Sequence, residues 1–120
     1  MSDKRFAPPD FDDMMQLTDL IRELYEKVEK MEAVIDEEVA KTTTEVTTNP
    51  NYFVNGKAPS MELVKSTYQI RGLDGNLFDK RMKLAEVKAA LEGAKLRFQV
   101  MRGMIDIYIT DSANARASVV

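Results

Sequence analysis

The sequence lacks several residue types on which enzymes commonly depend. It has no cysteine, no histidine and no tryptophan among its 120 residues. Without cysteine there are no disulfides, no thiolate nucleophile and none of the usual zinc sites. Without histidine, the commonest general base and metal ligand is missing. We therefore predict a protein that is not an enzyme, with no catalytic residues, no cofactor and no metal site.

The sequence also lacks the patterns that direct a chain to a membrane. It has no apolar run of about 18 residues, the minimum for a spanning helix. Its N-terminus, Met1-Ser2-Asp3-Lys4-Arg5, lacks the apolar core of a signal peptide. We expect no membrane partner and a cytoplasmic location, or a place in an assembly built in the cytoplasm. Hydrophobic residues make up 44% of the chain and charged residues 31%, which is typical of a folded protein.

The first predicted helix covers residues 13–41. Its apolar side chains recur at alternating steps of three and four residues, and no glycine or proline interrupts it. An aspartate at its start, Asp12 or Asp13, is a suitable N-cap. Residues at this spacing share one helix face, so we predict that they form a packing seam. Its central members are Leu17, Ile21, Leu24 and Val28.

The third predicted helix, residues 76–110, is the most regular part of the sequence. Its apolar row runs from Leu77 to Tyr108 at the same spacing. The spacing predicts packing against other helices, and it leaves open whether the first and third helices pair within one chain or between chains. Gly93 lies near several alanines, so another backbone could approach closely there. The predicted seam residues of this helix are Leu84, Leu91, Phe98, Met101 and Ile105.

The segments around the long helices carry turn signals. Pro8 and Pro9 favour an extended arm over residues 1–12, and the weak periodicity of 111–120 predicts a flexible tail. Residues 42–59 form a predicted loop because they are rich in β-branched and turn-forming residues. Stretches 43–48 and 52–54 of this loop could pair as a small β-hairpin.

Between loop and third helix, residues 60–71 read as a short helix capped by Ser60. The glycines at 72 and 75 predict a break at residues 72–76. Because Ile70, Leu73 and Leu77 stay in phase across it, a continuous helix is the alternative. The predicted class is therefore all-α: a long helical hairpin or coiled-coil-like bundle, with helices at 13–41, 60–71 and 76–110 in one domain spanning 13–110.

Charge is distributed unevenly along the chain. Residues 1–48 contain 6 basic and 13 acidic residues, a net charge of −7, whereas residues 76–105 contain 7 basic and 3 acidic residues, a net charge of +4. On the third helix a row flanking the seam is basic throughout, and this row would repel a parallel copy of itself. An acidic partner helix, for which the first helix is the nearest candidate, or a nucleic-acid backbone would suit it. The row is Arg81, Lys88, Lys95 and Arg102.

Two further sets of residues invite a functional interpretation. Tyr52 and Phe53, in the one aromatic loop, are our first candidates for a loop contact with another chain, and anchoring of the loop to the core is the alternative. The glutamates at every third position from Glu23 to Glu32 resemble half of a divalent-metal site. No second carboxylate pair of the same spacing follows on another helix, so a solvated acidic face is the better explanation.

These patterns predict a non-enzymatic structural or assembly protein. Its helical subunit would oligomerise or scaffold a larger complex, as virion-type or adaptor subunits do, because two long apolar seams exceed what one small chain can cover. The alternative is a nucleic-acid-associated accessory factor that uses the basic row of the third helix. A homo-oligomer or larger protein assembly is thus the expected partner, with nucleic acid second.

Overall fold

A computed structural model describes residues 10–119, with side chains through Ala115. The fold is all-α: helix α1 is Phe11–Thr48, α2 is Met61–Leu63, α3 is Gln69–Arg71 and α4 is Asn76–Val119. A 3-10 turn lies at Pro50–Tyr52, and a π-helical turn, Val64–Tyr68, joins α2 to α3. No strand occurs within residues 10–119. The predicted class, a long helical hairpin, is confirmed.

The described residues form two compact units. One, which we call the terminal unit, combines residues 10–25 with residues 89–119, and the other, the central unit, is Glu26–Lys88. The long helices α1 and α4 contribute a segment to each unit. We therefore describe the packing of the two helices separately in each.

In the central unit, α1 and α4 pack as antiparallel neighbours. The ammonium of Lys88 lies 3.3 Å from a carboxylate oxygen of Glu32, and Lys80 forms an ion pair with Glu38. The later residue of α4 thus pairs with the earlier residue of α1, as antiparallel helices require. Apolar side chains bury between these contacts and stabilise the unit. The buried ones are Val28, Ile35, Val46, Val64 and Leu77.

The terminal unit has the same antiparallel arrangement. The ammonium of Lys95 lies 4.7 Å from the ring centre of Tyr25, and Leu17 and Met101 line one cavity. Leu17, Leu91 and Ala94 are buried here, but most other seam residues stay half exposed. A pair of helices can shield only one stripe of each, so much apolar surface remains on the outside.

The first predicted helix was placed seven residues too short, because α1 continues past residue 41 to Thr48. Threonine disfavours a helix when its hydroxyl competes for backbone groups. Here Thr43 and Thr48 donate to the carbonyl oxygens four residues earlier, at 2.8 and 2.6 Å, which satisfies the hydroxyls within the helix. Full burial of Val46 on the same segment outweighs the weak propensity. The helix then ends just before Pro50, as expected.

The predicted pairing of 43–48 with 52–54 is wrong, since the first piece is helical. What forms instead is a single antiparallel bridge between Val54 and Lys57. Asn55 and Gly56 between them have positive φ angles of 55° and 76°, the pattern of a type I′ turn. The turn signal at Asn55-Gly56 was thus correct, although its partner segments were not.

The predicted break before the third helix is confirmed, and the continuous-helix alternative is wrong. Helix α3 ends at Arg71, and Gly72 has a φ of 76°. A β-carbon on Gly72 would lie 2.9 Å from Cβ of Leu77, so the turn needs glycine for space as well as for conformation. The Asp74 carboxylate accepts a hydrogen bond from the Asn76 backbone at 3.0 Å and starts α4. Ser60 caps the short helix as predicted.

Both ends of the helical region differ from the prediction. Helix α4 runs to Val119, so the predicted end at residue 110 is wrong. Alanines recur beyond residue 110 and no glycine or proline follows Gly103, so nothing stops the helix. Helix α1 starts at Phe11, inside the predicted arm, with Asp10 accepting a hydrogen bond from the Asp12 backbone at 3.0 Å. The rest of that arm, residues 1–9, lies outside the described residues.

Candidate functional site

The predicted seam residues face the partner helix of the same chain. Leu17 and Val28 of α1 and Leu91 of α4 are buried. The other predicted members are partly buried. The first and third predicted helices therefore pack against each other within this single chain. The partly buried members are Ile21, Leu24, Leu84, Phe98, Met101 and Ile105.

The basic row divides between contacts inside the chain and open surface. The Arg81 guanidinium donates to the backbone oxygen of Gln69 at 2.6 Å, and its buried Nε has no hydrogen-bond partner among the described residues. Lys88 pairs with Glu32 of α1 at 3.3 Å. The first half of the row is therefore directed at its own chain, as the acidic-helix interpretation predicted for Lys88.

Lys95 and Arg102 form the second half of the row. Lys95 lies over the Tyr25 ring and 3.3 Å from the Glu92 carboxylate. A hydrogen bond with Tyr25 and, after it, the contact with Glu92 raise the pKa of Lys95 above its ordinary 10.5. Arg102 is exposed and forms no ion pair within residues 10–115. Of the predicted row, Arg102 is the member without such a contact among the described residues.

The aromatic loop residues lie against the segment that precedes α4. The Tyr52 ring packs edge-on against Tyr68, with ring centres 6.1 Å apart, and Tyr68 belongs to the π-helical turn. Tyr52 and Phe53 are both half-buried. The contact supports the anchoring alternative for Tyr52, while both side chains keep a face open for another chain.

An open apolar surface of the terminal unit lies outside the predicted seams. Leu96 and Val100 are 60% and 62% exposed, and Met104 and Ile107 are also exposed. These four side chains follow steps of four, four and three residues, so they lie on one face of α4, turned away from the seam. We call this set, Leu96, Val100, Met104 and Ile107, the outer row.

A signal for the outer row was present in the sequence. Continuing its steps toward the N-terminus reaches Gly93 and Ala89, both exposed, in the same unit. A β-carbon at Gly93 would meet no atom within 4 Å, so α4 itself does not require glycine there. The row advances by 11 residues over three turns, close to the natural period of a straight helix. The heptad pattern does not include this row, so the predicted seam did not contain it.

Other kinds of site find little support in the structure. Within the described residues, no three carboxylates gather in a way that could hold a metal ion. Over the same residues, none of the helices has the length and apolarity needed to cross a bilayer. The cavity between Gly72, Leu77 and the end of α1 is lined by both charge signs and converges on no reactive group.

Comparison with known proteins gives no relative. No protein-family model matches this chain, and neither the curated proteins nor the solved structures include a match.

Proposed function

We propose that this protein is a non-enzymatic structural subunit, a helical hairpin that oligomerises to cover its outer apolar surface. The observation that carries the proposal is the outer row of α4. A soluble monomer rarely exposes a contiguous apolar face of this kind, and such faces mark sites of protein association. Leu96 and Val100, more than half exposed, are its most prominent members.

The energetics favour association. Full burial of one Leu, Val, Ile or Met side chain contributes roughly 1.5–3 kcal/mol relative to exposure. The outer-row residues are about half exposed, so each would contribute roughly 1 kcal/mol on association. A symmetric dimer buries every residue twice, which doubles this contribution.

The packing of the seam residues supports the same conclusion. Because the predicted seam residues pack within the chain, an oligomer would use another surface, and the outer row is an exposed apolar surface of its unit. Tyr52 and Phe53, half-buried in the central unit, offer a further contact for a larger assembly.

The nucleic-acid alternative has weaker support. Arg81, Lys88 and Lys95 each contact a group of their own chain, which leaves Arg102 as the member of the predicted row that is free to meet a phosphate backbone. An accessory factor of that type would bind DNA with a steep salt dependence. Reversal of the four row residues to Glu would then abolish the binding.

Molar mass in solution tests the proposal. Light scattering of the purified chain at micromolar concentration should give a multiple of 13.6 kDa. The double variant Leu96→Glu/Val100→Glu should shift the mass toward the monomer, because it places four like charges in a dimer interface. A matched control, Thr18→Glu/Ala33→Glu at two exposed positions of α1, should leave it unchanged. A wild-type monomer would overturn the proposal.

A further inference from the structure

The segment of α4 around the outer row carries charges in a symmetric order. Residues 96–112 contain four charged side chains, with Arg97 and Arg102 in the first half and Asp106 and Asp111 in the second. Arg102 and Asp106 are each two residues from Met104, and Arg97 and Asp111 are each seven residues from it. Met104 is therefore the centre of a pattern in which every positive charge has a negative counterpart at equal distance.

The four charged side chains have no oppositely charged partner among the described residues. All are exposed, and none of them takes part in an ion pair within residues 10–115. Arg97, Met104 and Asp111 are spaced by seven residues, or two helical turns, so they follow one side of the helix. The outer row of apolar side chains runs alongside them.

This order selects one arrangement of two copies. In an antiparallel pair of helices about a two-fold axis at Met104, each residue faces the one at equal distance on the other side of the axis. Arg97 of one copy then meets Asp111 of the other, twice. Arg102 and Asp106, two residues from Met104, lie on the far side of the helix and stay outside the contact. A parallel pair in register would instead place arginine level with arginine and aspartate level with aspartate, so charge opposes it.

The apolar side chains agree with the same axis. Val100 faces Tyr108 of the other copy, Met104 faces Met104, and Ile107 lies next to Val100. All of these side chains are exposed in the single chain and would be buried by the pairing. The occupant of the outer row is thus a second copy of this chain.

We infer that two copies of the protein associate through residues 96–112 of α4, antiparallel, about a two-fold axis at Met104. This inference rests on the proposed function and specifies its interface. The two Arg97–Asp111 pairs direct the specificity and orientation of the contact, while the outer row supplies the buried apolar surface.

Single cysteines test the axis directly, because the chain contains no other thiol. Under mild oxidation, Met104→Cys should form a disulfide-linked dimer. Val100→Cys alone and Tyr108→Cys alone should not form this dimer. In each of these variants the cysteines of the two copies lie about 12 Å apart along the helix direction, beyond disulfide reach. A mixture of these two variants should cross-link. Thr18→Cys, exposed on α1 of the same unit, is the control and should stay monomeric on a non-reducing gel.

Charge exchange is the second test. Asp111→Arg should weaken dimerisation roughly 10-fold in ultracentrifugation, since it replaces two exposed attractions by two repulsions. Adding Arg97→Asp in the same chain should restore it. The control Glu23→Arg, the same charge change on exposed α1, should have no effect.

The outcomes separate this inference from the proposed function. An oligomeric wild type whose Met104→Cys variant fails to cross-link, or whose Val100→Cys and Tyr108→Cys variants each cross-link alone, overturns the antiparallel axis and leaves the proposed function standing. A monomeric wild type overturns both. Cross-linking in the mixture together with the charge rescue would establish the interface.

Discussion

The two long helices of the terminal unit each have an apolar seam on their inner side, but their outer sides differ. The face of α1 turned away from the seam carries Asp12, Asp19 and Glu23, all exposed, together with the exposed Met15. The corresponding face of α4 carries the outer row. Charged and amide groups remain hydrated at no cost, whereas exposed apolar groups gain free energy when covered. The outer side of α1 is therefore mostly polar, although Phe11 and Met15 are exposed on this helix, whereas the outer row of α4 is a run of four apolar side chains.

A heptad seam alone therefore does not identify an interface with another chain. Both α1 and α4 have a heptad seam, and both seams pack within the chain. The information about a partner lies on the reverse face, where α1 follows the usual amphipathic pattern and α4 departs from it. Substitutions on the seam side and on the outer side of the helices test this contrast.

The first compares the two sides of α4 with one chemical change. Leu91 is 5% exposed and Leu96 is 60% exposed. Leu91→Ala should lower the free energy of unfolding by about 2–5 kcal/mol, because it leaves a cavity in the seam. Leu96→Ala should change it by less than about 0.5 kcal/mol in dilute, dissociated protein. Urea unfolding at two protein concentrations measures both, and equal losses in dilute protein would contradict the distinction.

The second uses glycine to test whether the outer face of α4 is free in the single chain. Gly93→Ala should stabilise the chain by about 1 kcal/mol, since alanine favours the helix and its β-carbon meets open space. The opposite exchange on the exposed face of α1, Ala33→Gly, should cost about the same. Thermal unfolding compares the two.

Gly72→Ala provides the contrasting case. There the new β-carbon would lie 2.9 Å from the Leu77 side chain, at a φ of 76°. The variant should be destabilised, and stabilisation by it would contradict the structural explanation of the turn.

The third and smallest effect concerns the edge where α1 meets α4 in the terminal unit. The Tyr25 hydroxyl group and ring both contact Lys95, whose pKa is raised. Tyr25→Phe keeps the ring and removes the hydroxyl, so the pKa of Lys95 should fall toward its ordinary value. Because a raised folded-state pKa stabilises the charged form, the small contribution is present below pH 10.5 and is lost as pH rises through the folded pKa. NMR titration of the Lys95 side chain measures the shift, and Glu92→Gln should give a smaller one.

The sequence predicted the class, the two long helices and the inner seam, because hydrophobic periodicity reports directly on burial. It failed where tertiary contacts outweigh local propensity. The threonines at the end of α1 look like strand or loop until the burial of Val46 is known. The alanine-rich end of α4 lacks apolar periodicity, yet it stays helical through Val119.

The candidate site was less accessible to sequence reasoning. A row such as Leu96, Val100, Met104 and Ile107 can be found by its period, but the sequence does not say which of two apolar rows on α4 is covered within the chain. The hydrogen bond from Arg81 to Gln69 is a second example, since residues of different elements meet there through a turn whose geometry depends on glycine. Periodicity defines faces, and only the folded chain shows which face is free.

The helical segment 61–71 has a consequence for the order in which the molecule opens and closes. Eleven residues with a π-helical turn at their centre are too few to be stable alone. The segment is held by the Arg81 and Thr43 side chains, which bond to Gln69, and by Tyr52 against Tyr68. These anchors come from α1, α4 and the loop, so they exist only after the long helices have formed. Its amide hydrogens should therefore exchange with solvent before those of α1 and α4, and it should be the last segment to fold.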